Sequence, residues 1–130
     1  MSEAEHPNAA LVRRLFASFG RHPMAVAAAL ARDIVWRVPG NTVMSGEYRG
    51  RREVVEFLRR TGLETGGTYH SRLQTVLADD DWAVAIYRAL GTRNGIDLDV
   101  EQALLIRIVD GVLQDVTAVP LDSAFERFWA

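Results

Sequence analysis

Two glycine dipeptides, Asn94-Gly95 and Asp110-Gly111, divide the stretch from Thr68 to Pro120 into long β-rich segments. Asn-Gly and Asp-Gly supply the positive φ angles that a two-residue type I′ turn needs, so each marks a β-hairpin. A tight turn also sets register. With Arg93 paired to Ile96, counting outward places Tyr87 opposite Gln102 and Arg88 opposite Glu101. With Val109 paired to Val112, the same count places Ile106 opposite Asp115 and Leu104 opposite Thr117. Side chains alternate between the faces of a strand, so Tyr87, Gln102 and Asp115 are expected on one face among Val100, Leu104, Ile106 and Ile108. An apolar surface carrying a few polar groups is the makeup of a small-molecule pocket.

The segments before the hairpins are mostly helical in pattern. Asn8 reads as the N-cap of a helix over Ala9–Phe19, where Leu11, Leu15, Phe16 and Phe19 recur at helical spacing. Pro23 suits the start of a second, alanine-rich helix over Met24–Ala31. The period then changes to two. Asp33–Val38 places Ile34, Trp36 and Val38 on one face of a strand, and Pro39-Gly40 ends it. After a loop from Asn41 to Gly50, a third helix runs from Arg51 to about Thr61 with Val54, Val55, Phe57 and Leu58 as its stripe. Four strands follow, at Thr68–Asp79, Trp82–Arg93, Ile96–Val109 and Val112–Val119. Leu121–Trp129 forms a short helix or an irregular tail that docks Phe125, Phe128 and Trp129. Helices before a meandering sheet make an α+β fold: three N-terminal helices on a strongly curved, mainly antiparallel sheet, with a conical pocket between, in one domain of 130 residues.

Composition narrows the function classes. A formal charge of −2 provides no clustered basic excess for nucleic acid. The arginines at positions 49, 51, 52, 59 and 60 alternate with Glu47, Glu53, Glu56 and Glu64, as on a solvated helix surface. With no cysteine and three dispersed histidines, no disulfide, thiolate or metal site is expected. No apolar stretch reaches membrane-spanning length and MSEAEHPN lacks the order of a signal peptide, so the cytoplasm is the expected location.

Six candidates carry the chemistry in the residues themselves. Asp115, placed among Ile106, Leu104 and Val119, would have its charged form disfavoured and would suit general acid or base work; the alternative is a bulge that tips it to solvent or a basic partner. Tyr87 and Gln102 either hydrogen-bond a carbonyl or hydroxyl of a ligand or satisfy one another in the core. Trp36 is a flat wall for a ring-shaped ligand or plain core. Tyr48 covers the pocket mouth, or its loop fixes a turn. His70 reaches the pocket rim with Arg72 and Gln74 if a two-residue turn at Asp80-Asp81 sets Gln74 opposite Tyr87; the alternative face, Tyr69, Ser71, Leu73, Thr75 and Leu77, is the more apolar. On the other side of the sheet, Arg88 and Glu101 are expected to pair across strands. Val84, Ile86, Leu90, Ala103 and Leu105 share that face and call for a homodimer to cover them.

The order of elements, with Asp33-Ile-Val-Trp-Arg-Val-Pro-Gly40, Ser45-Gly-Glu-Tyr-Arg-Gly50 and Ile106-Arg-Ile-Val-Asp-Gly111, resembles the SnoaL-like, ketosteroid-isomerase-related branch of the nuclear-transport-factor-2-like (NTF2-like) superfamily from about Asn8 to Trp129. The resemblance implies a pocket between helices and sheet, no cofactor, and homodimers packed through the outer sheet face. It also implies an acid at Asp115, four places after the hairpin glycine. Relatives of this branch carry histidine where this chain has Leu104, tryptophan where it has Thr117 and an acid where it has Ala118. The expected function is binding of a small hydrophobic oxygenated molecule, steroid-, polyketide- or terpenoid-like. Cofactor-free proton transfer by Asp115 and Tyr87, with Gln102, Trp36, Leu104, Thr117, Tyr48 and His70 holding substrate, is the enzymatic reading; a non-catalytic ligand-binding or dimerisation module is the alternative.

Overall fold

Both glycine turns adopt the left-handed geometry their sequence requires: φ is 52° at Asn94 and 75° at Gly95, and 52° at Asp110 and 76° at Gly111. The computed structural model describes residues 5–130. In chain order the elements are α1 (Pro7–Ser18), α2 (Pro23–Ala29), β1 (Leu30–Val38), β2 (Gly46–Arg49), α3 (Gly50–Glu64), β3 (His70–Ala78), β4 (Trp82–Arg93), β5 (Ile96–Val109), β6 (Val112–Pro120) and α4 (Ala124–Trp129). The strands form one curved sheet in the order β2-β1-β6-β5-β4-β3. Neighbours are antiparallel except β1 and β6, which run parallel.

The hairpin of β4 and β5 has the register counted from its turn, with Tyr87 opposite Gln102 and Arg88 opposite Glu101. The inner face buries Ala83, Ala85, Tyr87 and Ala89 from β4 and Leu98, Val100, Gln102, Leu104, Ile106 and Ile108 from β5. α1 lies on β3 and β4, α3 on β1 and β2, and α4 on β5. α1 sends Val12, Leu15 and Phe16 into the same core, and α3 sends Val54 and Phe57.

The expectation for β6 is corrected. Ile108 pairs with Leu113, but Arg107 pairs with Asp115, so Gln114 is an inserted residue. A β-bulge sets two residues against one and reverses the alternation beyond it. The inner face of β6 is therefore Leu113, Val116 and Ala118, all buried. Asp115 and Thr117, expected inside, lie on the outer face opposite Arg107 and Leu105. The physical reason is the better side-chain set: this register buries three apolar side chains and keeps a carboxylate out of the core. Asp115 instead forms an ion pair with Arg37 of β1, which also reaches Glu47 at 3.4 Å.

A second bulge, at Gln74, resolves β3. Leu73 pairs with Tyr87 while Thr75 pairs with Ile86. Tyr69, Ser71 and Leu73 thus face inward, Val76 and Ala78 continue the inner face, and His70 and Arg72 pair with Leu90 and Arg88 on the outer side.

Smaller differences have local causes. His6, rather than Asn8, caps α1: its Nδ1 accepts from the Asn8 N–H at 3.1 Å, and Pro7 occupies a first-turn position where no N–H is needed. β2 was expected as loop, because Gly-Glu-Tyr-Arg has no apolar periodicity; it pairs along the edge of β1, Tyr48 opposite Trp36. Arg88 donates through Nε to Asp99 Oδ1 at 2.7 Å, the diagonal neighbour, in preference to Glu101 directly opposite. No helix among the described residues is long and apolar enough to cross a membrane.

Candidate ligand-binding site

Between the helices and the concave face lies a cavity of about 780 Å³. That falls within the roughly 300–1,000 Å³ typical of small-molecule sites. Its walls are aromatic and come from helices and strands alike. Phe16 of α1 and Phe19, its C-cap, meet edge-on at 5.0 Å, and Phe16 lies 5.2 Å from the Tyr87 ring. Trp36 of β1 leans on Phe57 of α3 at 5.9 Å. Tyr69, just before β3, packs on Trp129 of α4 at 5.6 Å. Exposed members of the lining, among them Arg21, Arg59, Gly67 and His70, mark the mouth.

At the buried end, Gln102 Nε2 donates to the Tyr87 hydroxyl at 3.1 Å. Both residues are almost completely enclosed, at 2% and 4% exposure. The Gln102 carbonyl oxygen, Oε1, has no hydrogen-bond partner. Burial pushes the Tyr87 hydroxyl well above its ordinary pKa, and the neighbouring Tyr69 adds to the shift. Burial likewise pushes Tyr69 up to about 12, against hydrogen bonding from Ser71 and Tyr87. Both phenols are therefore neutral at physiological pH and serve as hydrogen-bonding groups rather than bases. Among the described residues, no aspartate or glutamate lines the cavity.

The candidates from the sequence separate into three groups. Tyr87, Gln102, Trp36 and Leu104 line the cavity together. His70 borders the mouth, but its imidazole is exposed and its Nδ1 lies 3.3 Å from the Thr68 carbonyl oxygen. Asp115 and Thr117 are on the other face of the sheet. Tyr48 stands behind the wall: its ring stacks on Phe57 at 4.4 Å and its hydroxyl donates to the Met44 carbonyl at 2.7 Å.

Sequence reasoning missed the share of the wall supplied by α1, α4 and Tyr69. α4 is held by Arg93 at the end of β4. Its Nη1 donates to the carbonyls of Phe128 at 3.1 Å and Ala130 at 3.0 Å, and its guanidinium sits 5.9 Å from the Trp129 ring. The available signal was the aromatic trio Phe125, Phe128 and Trp129, whose burial needs a surface to dock on.

A curved sheet closed by helices around an apolar chamber with polar groups at its buried end defines an NTF2-like protein with a ligand-sized cavity. Residues 12–116 match the family model described as SnoaL-like domain, and the chain belongs to that family. Over 123 residues it is 36% identical to an uncharacterised protein of Mycobacterium tuberculosis, covering 92% of this chain and 94% of that one. Bal32a, from a soil-derived mobile gene cassette, superposes with a TM-score of 0.90 at 31% identity, covering 95% of this chain and 97% of its own. A putative ketosteroid isomerase from Kribbella flavida shares the fold, with a TM-score of 0.72 at 24% identity over 90% of this chain and 79% of that one.

Proposed function

We propose that this SnoaL-like domain binds a small hydrophobic, oxygenated, ring-shaped molecule of steroid, polyketide or terpenoid character in its internal cavity, acting as a receptor. The observation that carries this reading is the lining: aromatic walls, one tyrosine–glutamine pair at the buried end, and, among the described residues, no carboxylate in contact with the space. Apolar burial supplies the affinity and the buried polar pair the orientation. Thermal-shift screening of steroids, aromatic polyketides and terpenoids tests it. A ligand that raises the melting temperature progressively, with the logarithm of its concentration, supports the reading; a silent screen across all three classes overturns it.

Cofactor-free proton transfer is the second reading, favoured by the neutral Tyr87 hydroxyl, which is suited to stabilising an enolate oxygen. Its base would have to come from the mouth, where His70 is the candidate, because Asp115 pairs with Arg37 behind the sheet. Turnover of a bound ligand that is lost in His70→Ala and kept in Asp115→Asn would establish it.

The reading includes a homodimer through the outer sheet face. Leu77, Leu105 and Val119 are exposed there at 62%, 39% and 39%, beside Val84 and Ile86, with Arg88, Asp99 and Arg107 around them. Light scattering on a size-exclusion column tests this, and a monomer at micromolar concentration overturns it.

A further inference from the structure

This inference rests on the binding reading and adds the charge of the ligand. Among the described residues, the side chains lining the cavity that are charged at all physiological pH values are Arg21 and Arg59. Both are exposed at the mouth, and none of the described carboxylates lines the space with them. The chain as a whole is acidic, with 17 Asp and Glu against 15 Lys and Arg, so a mouth of one positive sign runs against its overall balance. Arg21 sits in the connection between α1 and α2, where its own N–H and that of His22 donate to the Ser18 carbonyl at 3.0 and 2.9 Å and fix the turn. Arg59 belongs to α3, so the two guanidinium groups reach the mouth from separate elements.

Competition for them from the protein itself is weak. Among the described residues Arg21 takes part in no ion pair. Arg59 has Glu56 at 3.5 Å, a pair one helical turn apart whose side chains stay 64% and 60% exposed, so exchanging it for another anion costs little. Glu64, at the end of α3, is held by Arg60 and Arg93 at 3.7 and 3.4 Å. The last carbonyls of α3 are also occupied: Gly62 accepts from the Gly67 N–H at 2.7 Å and Leu63 from the Gly66 N–H at 3.3 Å. Behind the arginines lie aromatic walls, and a cleft of low dielectric lined by one sign of charge concentrates its field on whatever enters.

We propose that the ligand is an amphipathic anion: its apolar ring body fills the chamber, and an acid group, a carboxylate or sulfate, is held at the mouth by Arg21 and Arg59. The planar fork of arginine matches such oxyanions. A neutral molecule of the same body gains only the apolar part of the binding.

A matched pair of fluorescent probes tests this: 8-anilinonaphthalene-1-sulfonate, and N-phenyl-1-naphthylamine, which is the same body without the sulfonate. Both are titrated against the full chain, against Arg21→Gln/Arg59→Gln, and against Arg32→Gln/Arg52→Gln, which removes two exposed charges that do not line the cavity. In the mouth variant the sulfonate is expected to lose about fivefold or more in affinity while the amine stays within about twofold; in the control variant both stay within about twofold. Added salt should weaken the sulfonate alone in the parent chain, a readout that needs no variant. Sulfonate affinity that is indifferent to salt or to the mouth variant overturns the inference and leaves the binding reading intact. So does an equal loss of both probes, an equal loss of the sulfonate in the control variant, or bound sulfonate that the amine does not displace. A parent chain that takes the amine and refuses the sulfonate has the same consequence. Failure of both probes to bind overturns both readings.

Discussion

Asp115 and Arg37 join β6 to β1 by an ion pair on the outer face, with the sheet between them and the cavity. Both side chains are partly exposed, at 33% and 42%, so the pair contributes little to stability. Asp115→Asn is expected to lower unfolding free energy by no more than about 1 kcal/mol. Its affinity for any ligand found by screening stays within about twofold of the parent, a change under about 0.4 kcal/mol. Urea denaturation and calorimetry check the two halves, and a large loss of affinity would return Asp115 to the site.

Tyr87 and Gln102 are coupled asymmetrically. Removing the hydroxyl in Tyr87→Phe leaves the buried amide with neither end paired, at a cost of about 1–3 kcal/mol. Gln102→Met removes the orphan oxygen and is expected to be close to neutral in the ligand-free protein. Adding Gln102→Met to Tyr87→Phe should therefore recover stability, and a double-mutant cycle by urea denaturation measures the recovery.

Alkaline pH provides a third test. All three tyrosines of the chain have raised pKa values, with Tyr69 at about 12 against an ordinary value of 10.0. Above pH 10 the unfolded chain gives up phenolic protons that the folded chain retains. Stability is then full below about pH 10 and falls as pH rises through the interval, by about 1.4 kcal/mol per pH unit for each such tyrosine. Absorbance of tyrosinate should appear together with unfolding, not before it. Tyr69→Phe removes one of these phenols and should make the decline shallower.

Ala118 lies at the buried end, opposite Leu104, at 4% exposure. Ala118→Leu fills part of the chamber, which is expected to raise the stability of the empty protein by about 0.5–2 kcal/mol. The same change should weaken ligand binding by about tenfold or more, the equivalent of about 1.4 kcal/mol. Unchanged affinity would place the ligand elsewhere.

Much of the fold could be read from local chemistry, because the decisive signals were short-range. The turns at Asn94-Gly95 and Asp110-Gly111 set the ends of β4 and β5, and from the first of them the Tyr87–Gln102 pairing follows by counting. Counting fails where the chain inserts a residue. Gln114 shifts β6 and Gln74 shifts β3, and each insertion turns every later side chain over. A hint was present at Gln114-Asp115, since two successive polar residues cannot both face solvent on a regular strand, and Val116 and Ala118 needed burial. β2 carried no hint, because four residues of mixed polarity at an edge pack too little to leave a pattern. The share of the wall taken by α1 and α4 depends on how helices lie across a bent sheet, which no periodicity within a strand encodes.

α4 has six residues, well short of the about 12–15 at which an isolated helix is even marginal in water. Phe125 and Trp129 therefore stay on the chamber through tertiary contacts: the Arg93 hydrogen bonds, the Val43 N–H donating to the Trp129 carbonyl at 3.1 Å, and the neighbouring rings. One wall of the vessel is thus a stopper held by its contacts rather than by its own helical stability. A molecule that fills the interior also glues the stopper shut, so resistance of the final helix to proteases becomes a gauge of whether the vessel is full.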